Sequence, residues 1–444
     1  MTKTQKMKHI SSFQIIILGF ILVIVLGGVL LMLPISSQGR VWTSPIDALF
    51  TSTSAVCVTG LVVHDTATYW SGFGQAVILL LIQIGGLGVV TVAGAFALLS
   101  GRRIGLMQRS TMKEAIAAPN VGGIVRLTRF ILFTVLGIEF LGAVAMFPVF
   151  YRDFGLAKGL WYAVFHSVSA FCNAGFDLMG VEEPYSSLTR YAANPVINVT
   201  IMALIVVGGI GFLTWDDIRR NGRHIHKYRM QSKVILTMTT ALIVVPAVYF
   251  FFFEFGDAPV GRRILLSLFQ SVTPRTAGFN TADLTQLSET GQSVMAVLML
   301  IGGSPGSTAG GMKTTTFAVL LAAAIAVFRQ REDAHFFKRR IAAAVISNAA
   351  TILMMYLVLF LTGGMIISTI EGLPMVESLF ETASAIGTVG LSLGVTPGLG
   401  GVSHVILMGL MFFGRVGGLT LIYAAISHGH VTGAKLPQER ITVG

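Results

Sequence analysis

Long apolar runs alternate with short, more polar segments along the chain. Each run has about 20 residues or more, the length that a helix needs to cross about 30 Å of hydrocarbon. The runs form four pairs, and each pair flanks one short segment. They lie at 14–33, 76–99, 128–149, 194–214, 233–253, 291–325, 343–364 and 403–426. The pattern predicts an all-α membrane protein with eight transmembrane helices.

The short segments carry one motif four times. Three copies, beginning at Phe50, Phe165 and Phe380, have Phe, three residues, Ser-Ala, four residues, and Gly followed by Leu or Phe. The copy at Phe269 is one residue shorter and has Thr-Pro in place of Ser-Ala. Each contains a helical stretch of about 10–12 residues, too short to span a bilayer. We therefore predict four re-entrant pore helices.

Two starts of these pore helices have recognisable signals. Ser44-Pro45 predicts an N-cap followed by Pro at the first helical position, and Pro374 predicts a similar start for the fourth copy. The whole chain then divides into four helix–pore-helix–helix repeats with two cytoplasmic ends. The predicted segments are 1–12, the repeats 13–100, 101–215, 216–330 and 331–430, and the tail 431–444.

The residues between each pore helix and its glycine are predicted to be non-helical. Non-helical backbone at membrane depth is tolerated only where it is buried in protein or lines a water-filled cavity. Four such strands around an axis would replace the hydration shell of a cation with carbonyl oxygens. The C-terminal ends of four pore helices would add partial negative charge there. Helix packing explains any single glycine among 50, but it is a weak explanation for four equivalent ones.

Composition and charge agree with a membrane protein. The chain is 54% hydrophobic and 11% charged, against about 25% charged residues in soluble domains. Its net charge of +11 is concentrated at the N-terminus, near 101–129, 216–233 and 327–340, and in the tail. This positive-inside bias predicts that both termini are cytoplasmic. Topology accounts for the basic balance, so no nucleic-acid partner is expected.

One apolar run cannot be a continuous helix. Residues 301–316 contain five glycines and a proline, which do not propagate a stable helix. We predict an intramembrane loop over 302–316. The other runs after the pore helices carry only a milder Gly-x-x-Gly pair, at Gly85/Gly88, Gly208/Gly211 and Gly414/Gly417.

The four motif copies, at 54–61, 169–176, 273–280 and 384–391, together resemble the Trk/Ktr/HKT superfamily of potassium transporters, over nearly the whole chain. The resemblance implies a pseudo-fourfold pore in each protomer. It also implies potassium selectivity, because all four glycines are present, whereas plant relatives with Ser at the first position favour sodium. The ion-binding filter would consist of Val58, Thr59, Gly60, Asn173, Ala174, Gly175, Thr276, Ala277, Gly278, Thr388, Val389 and Gly390.

The chain is most similar to the Ktr branch, since it has no room for two extra leading helices and residues 436–444 resemble Ktr tails. That branch implies a homodimer in the bacterial plasma membrane, surrounded by lipid. The dimer would sit on a cytoplasmic ring of regulatory subunits with the RCK (KTN) fold. ATP or ADP would bind to the ring, because this chain has no Gly-rich nucleotide loop of its own. Potassium uptake in this branch is typically stimulated by sodium, as in a symporter.

The resemblance also makes the broken helix a gate below the filter. The gate residues would be Gly302, Gly303, Ser304, Gly306, Ser307, Thr308, Gly310, Gly311, Lys313 and Arg415. A charge at the depth of Arg415 is expensive and usually functional, and it would face the pore and anchor the closed loop. A buried carboxylate partner is the alternative. For Lys313, facing the pore and snorkelling to the interface are equally supported.

Other polar residues in or near the apolar runs receive supporting roles. Glu139 is expected to make a structural hydrogen bond to a neighbouring helix, and Arg275 to brace the filter through nearby acids. Glu381 and His166 occupy matching positions in their repeats, which predicts a scaffold behind the filter. A last group would give the outer mouth a negative field or simply be solvated: Asp47, Asp65 and Asp177.

Two other classes of function compete with this interpretation. A proton- or sodium-coupled secondary carrier without a regulatory ring would need several intramembrane carboxylates, and Glu139 is essentially alone. An intramembrane enzyme would need a nucleophile–base pair or metal ligands, and neither H-E-x-x-H nor G-x-S-x-G is present. We therefore expect no catalytic site and no bound cofactor other than transported cations.

Overall fold

The structure is a computed structural model, and it describes residues 11–99, 104–118 and 120–425. Most of the predicted N-terminal segment 1–12 and all of the predicted tail 431–444 lie outside these residues, as does the Ktr-like stretch 436–444. The regular secondary structure of the described residues is almost entirely helical, as the apolar pattern predicts. Their one sheet is a two-stranded antiparallel hairpin of β1 (His335–Phe336) and β2 (Arg339–Arg340).

The described part of the chain contains sixteen α-helices. They are α1 (Ser12–Met32), α2 (Pro45–Val56), α3 (Gly72–Leu87), α4 (Val89–Leu99), α5 (Leu106–Ile116), α6 (Ile124–Phe171), α7 (Pro195–Gly209), α8 (Phe212–Asn221), α9 (Met230–Tyr249), α10 (Val260–Val272), α11 (Glu289–Leu300), α12 (Thr314–Phe328), α13 (Ala343–Glu371), α14 (Met375–Gly387), α15 (Gly401–Val416) and α16 (Gly418–Ala425). Short 3₁₀ turns lie at Pro34–Ser36, Thr189–Tyr191, Ile225–Lys227, Leu284–Gln286 and Thr396–Gly398, and a π turn at Phe250–Glu254.

The first helix of each repeat is long and apolar enough to cross a membrane. These spans are Ser12–Met32, Ile124–Phe171, Met230–Glu254 and Ala343–Glu371. The second of them contains two helices, because Gly155 at φ 75° interrupts α6 and the rest of α6 is the second pore helix.

The predicted pore helices are α2, the end of α6, α10 and α14. The start predicted for the first is confirmed, since Ser44 is the N-cap and Pro45 the first helical residue, although the Ser44 side chain makes no capping hydrogen bond. In the fourth, Pro374 occupies the cap position, one residue before the helix.

The second helix of every repeat is broken, whereas the sequence predicted a break in the third alone and only milder Gly-x-x-Gly pairs in the other three. Helices α3 and α4 meet at 94° across Gly88, and α7 and α8 meet at 96°. The third breaks over 301–313 between α11 and α12, and this loop ends three residues earlier than predicted because Thr314–Thr316 begin α12. The fourth breaks at Gly417.

The two glycines of each Gly-x-x-Gly pair explain these breaks. The second glycine has a backbone conformation that L side chains rarely adopt, with φ of 84° at Gly88, 91° at Gly211 and 88° at Gly417. The first permits close packing on the end of a pore helix: a Cβ on Gly85 would lie 2.0 Å from the carbonyl oxygen of Val56. Equivalent close approaches occur at Gly208 with Phe171, and at Gly414 with Ile386.

The core surrounds the pore helices. The motif phenylalanines are at most 1% exposed, and so are the apolar residues that follow the four glycines. These residues are Phe50, Phe165, Phe269 and Phe380, and Leu61, Phe176, Phe279 and Leu391. Apolar anchors before and after each non-helical strand thus fix it at the centre of the molecule.

Candidate functional site

The four motif glycines lie beside one another in a closed ring. A Cβ atom built on Gly60 would lie 3.0 Å from the Cα of Gly175, and one on Gly175 would lie 2.9 Å from the Cα of Gly278. A Cβ on Gly278 would lie 3.3 Å from the Cα of Gly390, and one on Gly390 would lie 2.9 Å from the Cα of Gly60. The four strands therefore meet in chain order around one axis, with no space for side chains between them.

Each strand has the same unusual backbone. Positive φ occurs at the glycine and again two residues before it. The non-glycine members are Val58 at 51°, Asn173 at 57°, Thr276 at 63° and Thr388 at 51°. Left-handed conformations of such residues cost free energy and persist where the surroundings impose them, typically at ligand clamps. Four equivalent instances make this a feature of the repeat.

A hydroxyl at the end of each pore helix fastens the strand that follows it. Ser54 Oγ and Ser384 Oγ accept hydrogen bonds from the backbone N–H of Gly60 and Gly390, each at 3.0 Å. In the other two repeats the hydroxyl donates to the carbonyl after the glycine, from Ser169 to Phe176 at 2.7 Å and from Thr273 to Phe279 at 2.5 Å. The site prediction omitted these four residues, although the Ser-Ala and Thr-Pro positions of the motif already marked them.

Several buried oxygens at the strands have no hydrogen-bond partner. They are the hydroxyls of Thr59, Thr276 and Thr388. Pore-helix C-termini also direct partial negative charge toward the strands. Unpartnered oxygens with negative potential suit a dehydrated monovalent cation, since nothing else in the described residues satisfies them. Oxygens of this kind are able to coordinate a cation.

The intramembrane loop 301–313 lies against the inner ends of the strands. Thr308 Oγ1 donates to the side-chain oxygen of Asn173 at 2.9 Å and to the carbonyl of Phe171 at 3.0 Å. A Cβ on Gly310 would lie 2.1 Å from Thr388 Oγ1. The loop thus contacts the residues at the base of two filter strands.

The loop is also hydrogen-bonded to the broken helices around it. The N–H of Ser304 donates to the Gly209 carbonyl at 3.0 Å, and the N–H of Gly311 donates to the Gly414 carbonyl at 3.1 Å. At the tip of the loop, the Gly306 carbonyl accepts a hydrogen bond at 2.7 Å from the N–H of Phe212, which is the first residue of α8. The position of the loop is therefore linked to that of α8.

Arg415 joins the loop to the first repeat. Its guanidinium donates to the carbonyl of Thr308 in the loop, and to the carbonyls of Gly85 and, at 3.0 Å, Gly86 at the break after α3. No carboxylate of the described residues lies within 4.0 Å of it. Lys313 differs, because its ammonium donates to loop carbonyls, those of Ala309 at 2.8 Å and Gly310 at 3.3 Å.

Buried polar residues behind the filter are held locally. Glu139 accepts from Gln83 of α3 at 3.3 Å, as the hydrogen-bond prediction requires. Glu381 accepts from the loop after the fourth strand, from Ser392 at 2.5 Å and Thr396 at 2.6 Å. His166 accepts from the N–H of Leu178 at 3.3 Å.

Arg275 contradicts its prediction. Among the described residues no carboxylate lies within 4.0 Å, and its guanidinium reaches only the Thr239 carbonyl at 3.4 Å. The prediction that Arg275 braces the filter through nearby acidic side chains was therefore wrong. Sequence spacing did not reveal that the acids near it in the chain point elsewhere.

The outer aspartates mainly order loops. Asp65 is buried and accepts from the N–H of Thr68 at 2.9 Å and of Tyr185 at 3.1 Å. Asp47 pairs with His64 at 3.1 Å. Asp177 accepts from Met179 N–H at 2.9 Å, and desolvation raises the pKa of its carboxyl to about 7. Its charge therefore changes in the physiological range of pH.

Re-entrant helices whose following strands meet at a common ring of glycines, inside an apolar helical body, define a multi-pass membrane protein for cation transport. Residues 2–430 match the family model described as TrkH: Cation transport protein. The chain belongs to this family, which makes it a transporter and not an enzyme, as the sequence predicts.

Two curated relatives match over nearly their full length. The chain is 39% identical over 453 residues to the Potassium/sodium uptake protein NtpJ of Enterococcus hirae, covering 100% of the chain and 99% of the relative. It is 38% identical over 428 residues to the Ktr system potassium uptake protein B of Bacillus subtilis, covering 95% and 94%. The crystal structure of the potassium transporter TrkH from Vibrio parahaemolyticus has the same fold, with a TM-score of 0.70 at 20% identity over 95% of this chain and 86% of that chain.

Proposed function

We propose that this chain takes up potassium through the glycine ring, as the ion-translocating subunit of a Ktr-type system. The observation that carries the proposal is the closed contact of Gly60, Gly175, Gly278 and Gly390 in chain order. The twelve predicted filter residues then supply the carbonyl and hydroxyl oxygens that replace water around the ion. Two full-length relatives named for potassium uptake support the choice of ion.

We infer that the ion path crosses a plasma membrane with both termini cytoplasmic. Each broken helix pair then counts as one crossing, so that the four repeats make eight crossings. The basic segments 216–233 and 327–340 lie on the cytoplasmic side in this orientation, in agreement with the positive-inside rule.

The intramembrane loop is the proposed gate. It lies directly against the base of two filter strands, and Arg415 connects it to the first repeat. A cationic side chain at this point also opposes the passage of a cation. Withdrawal of the loop would need the bonds at Thr308, Gly306 and Gly311 to break, and α8 supplies a mechanical connection for a cytoplasmic regulator.

The Ktr assignment brings partners with it. We propose a homodimer on a cytoplasmic ring of RCK-type subunits that binds ATP or ADP, and uptake that sodium stimulates. The curated name Ktr system potassium uptake protein B, held by one relative, supports a multi-subunit system. A secondary carrier coupled to protons or sodium, working without a ring, is the competing function.

Growth of a bacterium that lacks its own potassium uptake tests the proposal. Expression of the chain with a regulatory partner should restore growth at low potassium, and added sodium should strengthen the rescue. Gly60→Ser should weaken potassium preference over sodium, because a Cβ there meets the Ala174 carbonyl at 2.5 Å. Gly72→Ser is the matched control, since a Cβ at Gly72 meets nothing within 4 Å.

The outcomes of the growth experiment distinguish the proposed gated uptake from a secondary carrier. Absence of rescue under every condition would contradict potassium uptake. Unchanged ion preference in Gly60→Ser would contradict the filter. Rescue of equal strength with and without the partner, with a proton or sodium ion moved in a fixed ratio to each potassium ion, would favour the secondary carrier.

A further inference from the structure

A cavity of about 1140 Å³ lies beside the gate-linked helix α8, away from the filter. Its walls are the end of α4, the segment 120–133 at the start of α6, and the outer face of α8. No residue of the proposed filter or loop lines it. The cavity is large enough for a lipid headgroup with the first part of its acyl chains.

The polar part of the cavity is strongly cationic. Five arginines line it against a single aspartate, Asp216. Asp216 is already paired, with Arg220 at 2.8 Å and Arg229 at 3.3 Å. The other three, Arg126, Arg129 and Arg219, are exposed and have no carboxylate within 4.0 Å among the described residues. Three uncompensated guanidinium groups around one space favour an anion.

Two further features favour a phosphate there. Helix α6 begins at Ile124 with Gly123 as its N-cap, and no side chain caps it. Its free N–H groups and positive dipole end therefore remain available to an anion at the cavity wall. The Arg219 guanidinium is held 4.7 Å from the centre of the Phe130 ring, which fixes it beside the start of α6.

The other part of the cavity is apolar. Leu98, Leu132 and Phe133 line it, and Phe133 is 61% exposed, as expected of an apolar side chain that faces lipid. A free nucleotide or phosphate ion leaves this wall uncovered. A phospholipid covers it with an acyl chain while its phosphate reaches the arginines.

We propose that this cavity binds an anionic phospholipid of the inner leaflet, with the headgroup phosphate at Arg126, Arg129 and Arg219. The inference rests on the proposed orientation, which puts the start of α6 at the cytoplasmic surface. Basic pockets between transmembrane helices on that side are suited to anionic headgroups.

Lipid binding to the purified full-length chain in detergent tests the site. The probes are phosphatidylglycerol, phosphatidylcholine with the same acyl chains, and sodium phosphate. Native mass spectrometry counts the retained lipid, and thermal unfolding measures stabilisation. Phosphatidylglycerol should bind and stabilise the protein, whereas the other two probes should have little effect.

Charge-removing variants locate the binding. Arg126→Gln/Arg129→Gln/Arg219→Gln should weaken phosphatidylglycerol binding at least about tenfold, since each basic residue near an anionic lipid contributes substantially. A charge-matched control removes three exposed cations outside the cavity and should bind like the wild type: Arg329→Gln/Lys338→Gln/Arg339→Gln. The triple Arg→Lys variant keeps the charge, and should retain most binding.

Three results would overturn the proposal. One is equal loss of lipid in the cavity variant and the control. Another is equal stabilisation by sodium phosphate, which would make the cavity a free-anion site. The third is unchanged lipid retention in the triple Arg→Gln cavity variant. This result counts once the unfolding temperature of the variant in phosphatidylcholine matches that of the wild type, which shows that the variant is folded. Transport enters none of these readouts, so failure of potassium rescue with intact lipid binding would count against the proposed function alone.

Discussion

Replacement of Arg415 by Gln tests whether the loop is held closed by the bridge to the first repeat. In the structure this side chain is the direct hydrogen-bonded connection between the Thr308 carbonyl and the Gly85 and Gly86 carbonyls. A hydrogen bond to a charged group contributes about 1.5–3 kcal/mol. Loss of the one to the loop would change the closed-to-open ratio by about 10- to 150-fold. We expect a large rise in flux without the regulatory partner.

Rubidium uptake into proteoliposomes measures that flux. Lys313→Gln is the matched comparison, because it also removes one cation below the filter, but Lys313 donates only to carbonyls of the loop itself. Electrostatic repulsion alone predicts similar increases in the two variants. The bridge predicts a much larger increase for Arg415→Gln.

A double-mutant cycle gives the refutation. With residues 305–307 deleted, the loop no longer reaches its contacts, so Arg415→Gln should add less than about twofold to the flux. An undiminished effect of Arg415→Gln in the shortened protein would show that the arginine acts independently of the loop. Equal effects of the Arg415 and Lys313 variants in the full-length protein would have the same meaning.

Three further predictions address the filter, the support of α8 and the outer mouth. Gly390→Ala should abolish selective uptake, because its Cβ would lie 2.1 Å from the Thr59 carbonyl oxygen. Gly394→Ala is the control and should retain selective uptake, because Gly394 has a φ of 88°, close to the 92° of Gly390, but no atom lies within 4 Å of its Cβ position. Asp217→Ala should lower the free energy of unfolding by about 1–3 kcal/mol, measured by thermal unfolding, because the buried carboxylate pairs with Arg229 at 3.4 Å and accepts from Ser232 at 2.6 Å. With a pKa of about 7, Asp177 is charged above pH 7 and neutral below it, so the apparent affinity for potassium should fall on acidification, and Asp177→Asn should remove that pH dependence.

Each of these has a result that would contradict it. Equal losses in the two glycine variants would mean that backbone strain, and not the close approach of strands, explains the effect. For the support of α8, Asp333→Ala breaks an exposed pair with Arg340 and should cost less than about 1 kcal/mol; a similar cost in both variants would contradict the argument from burial. An unchanged pH profile in Asp177→Asn would assign the dependence to another group.

Much of the architecture was predictable because each repeat carries its own sequence pattern within a short stretch of the chain. Apolar length determines which helices can span a membrane, and the Phe, Ser-Ala and Gly positions recur in each copy. The breaks after Leu87 and at Gly417 were less predictable. A Gly-x-x-Gly pair is compatible with a continuous helix in isolation, and only the pore helix packed against its first glycine shows why the second bends the chain.

The sequence by itself determined the long apolar spans, the four pore segments and the glycines at their ends, since these depend on hydrophobic length and on backbone angles that only glycine adopts easily. Tertiary structure decided the order of contacts in the ring, the meeting of Thr308 with Asn173, and the partners of Arg415 and Arg275. The contact of Arg275 with Thr239 spans 36 positions, and those of Thr308 and Arg415 join residues that are 107 to 330 positions apart. No local preference specifies them, because they arise only when four repeats close around one axis.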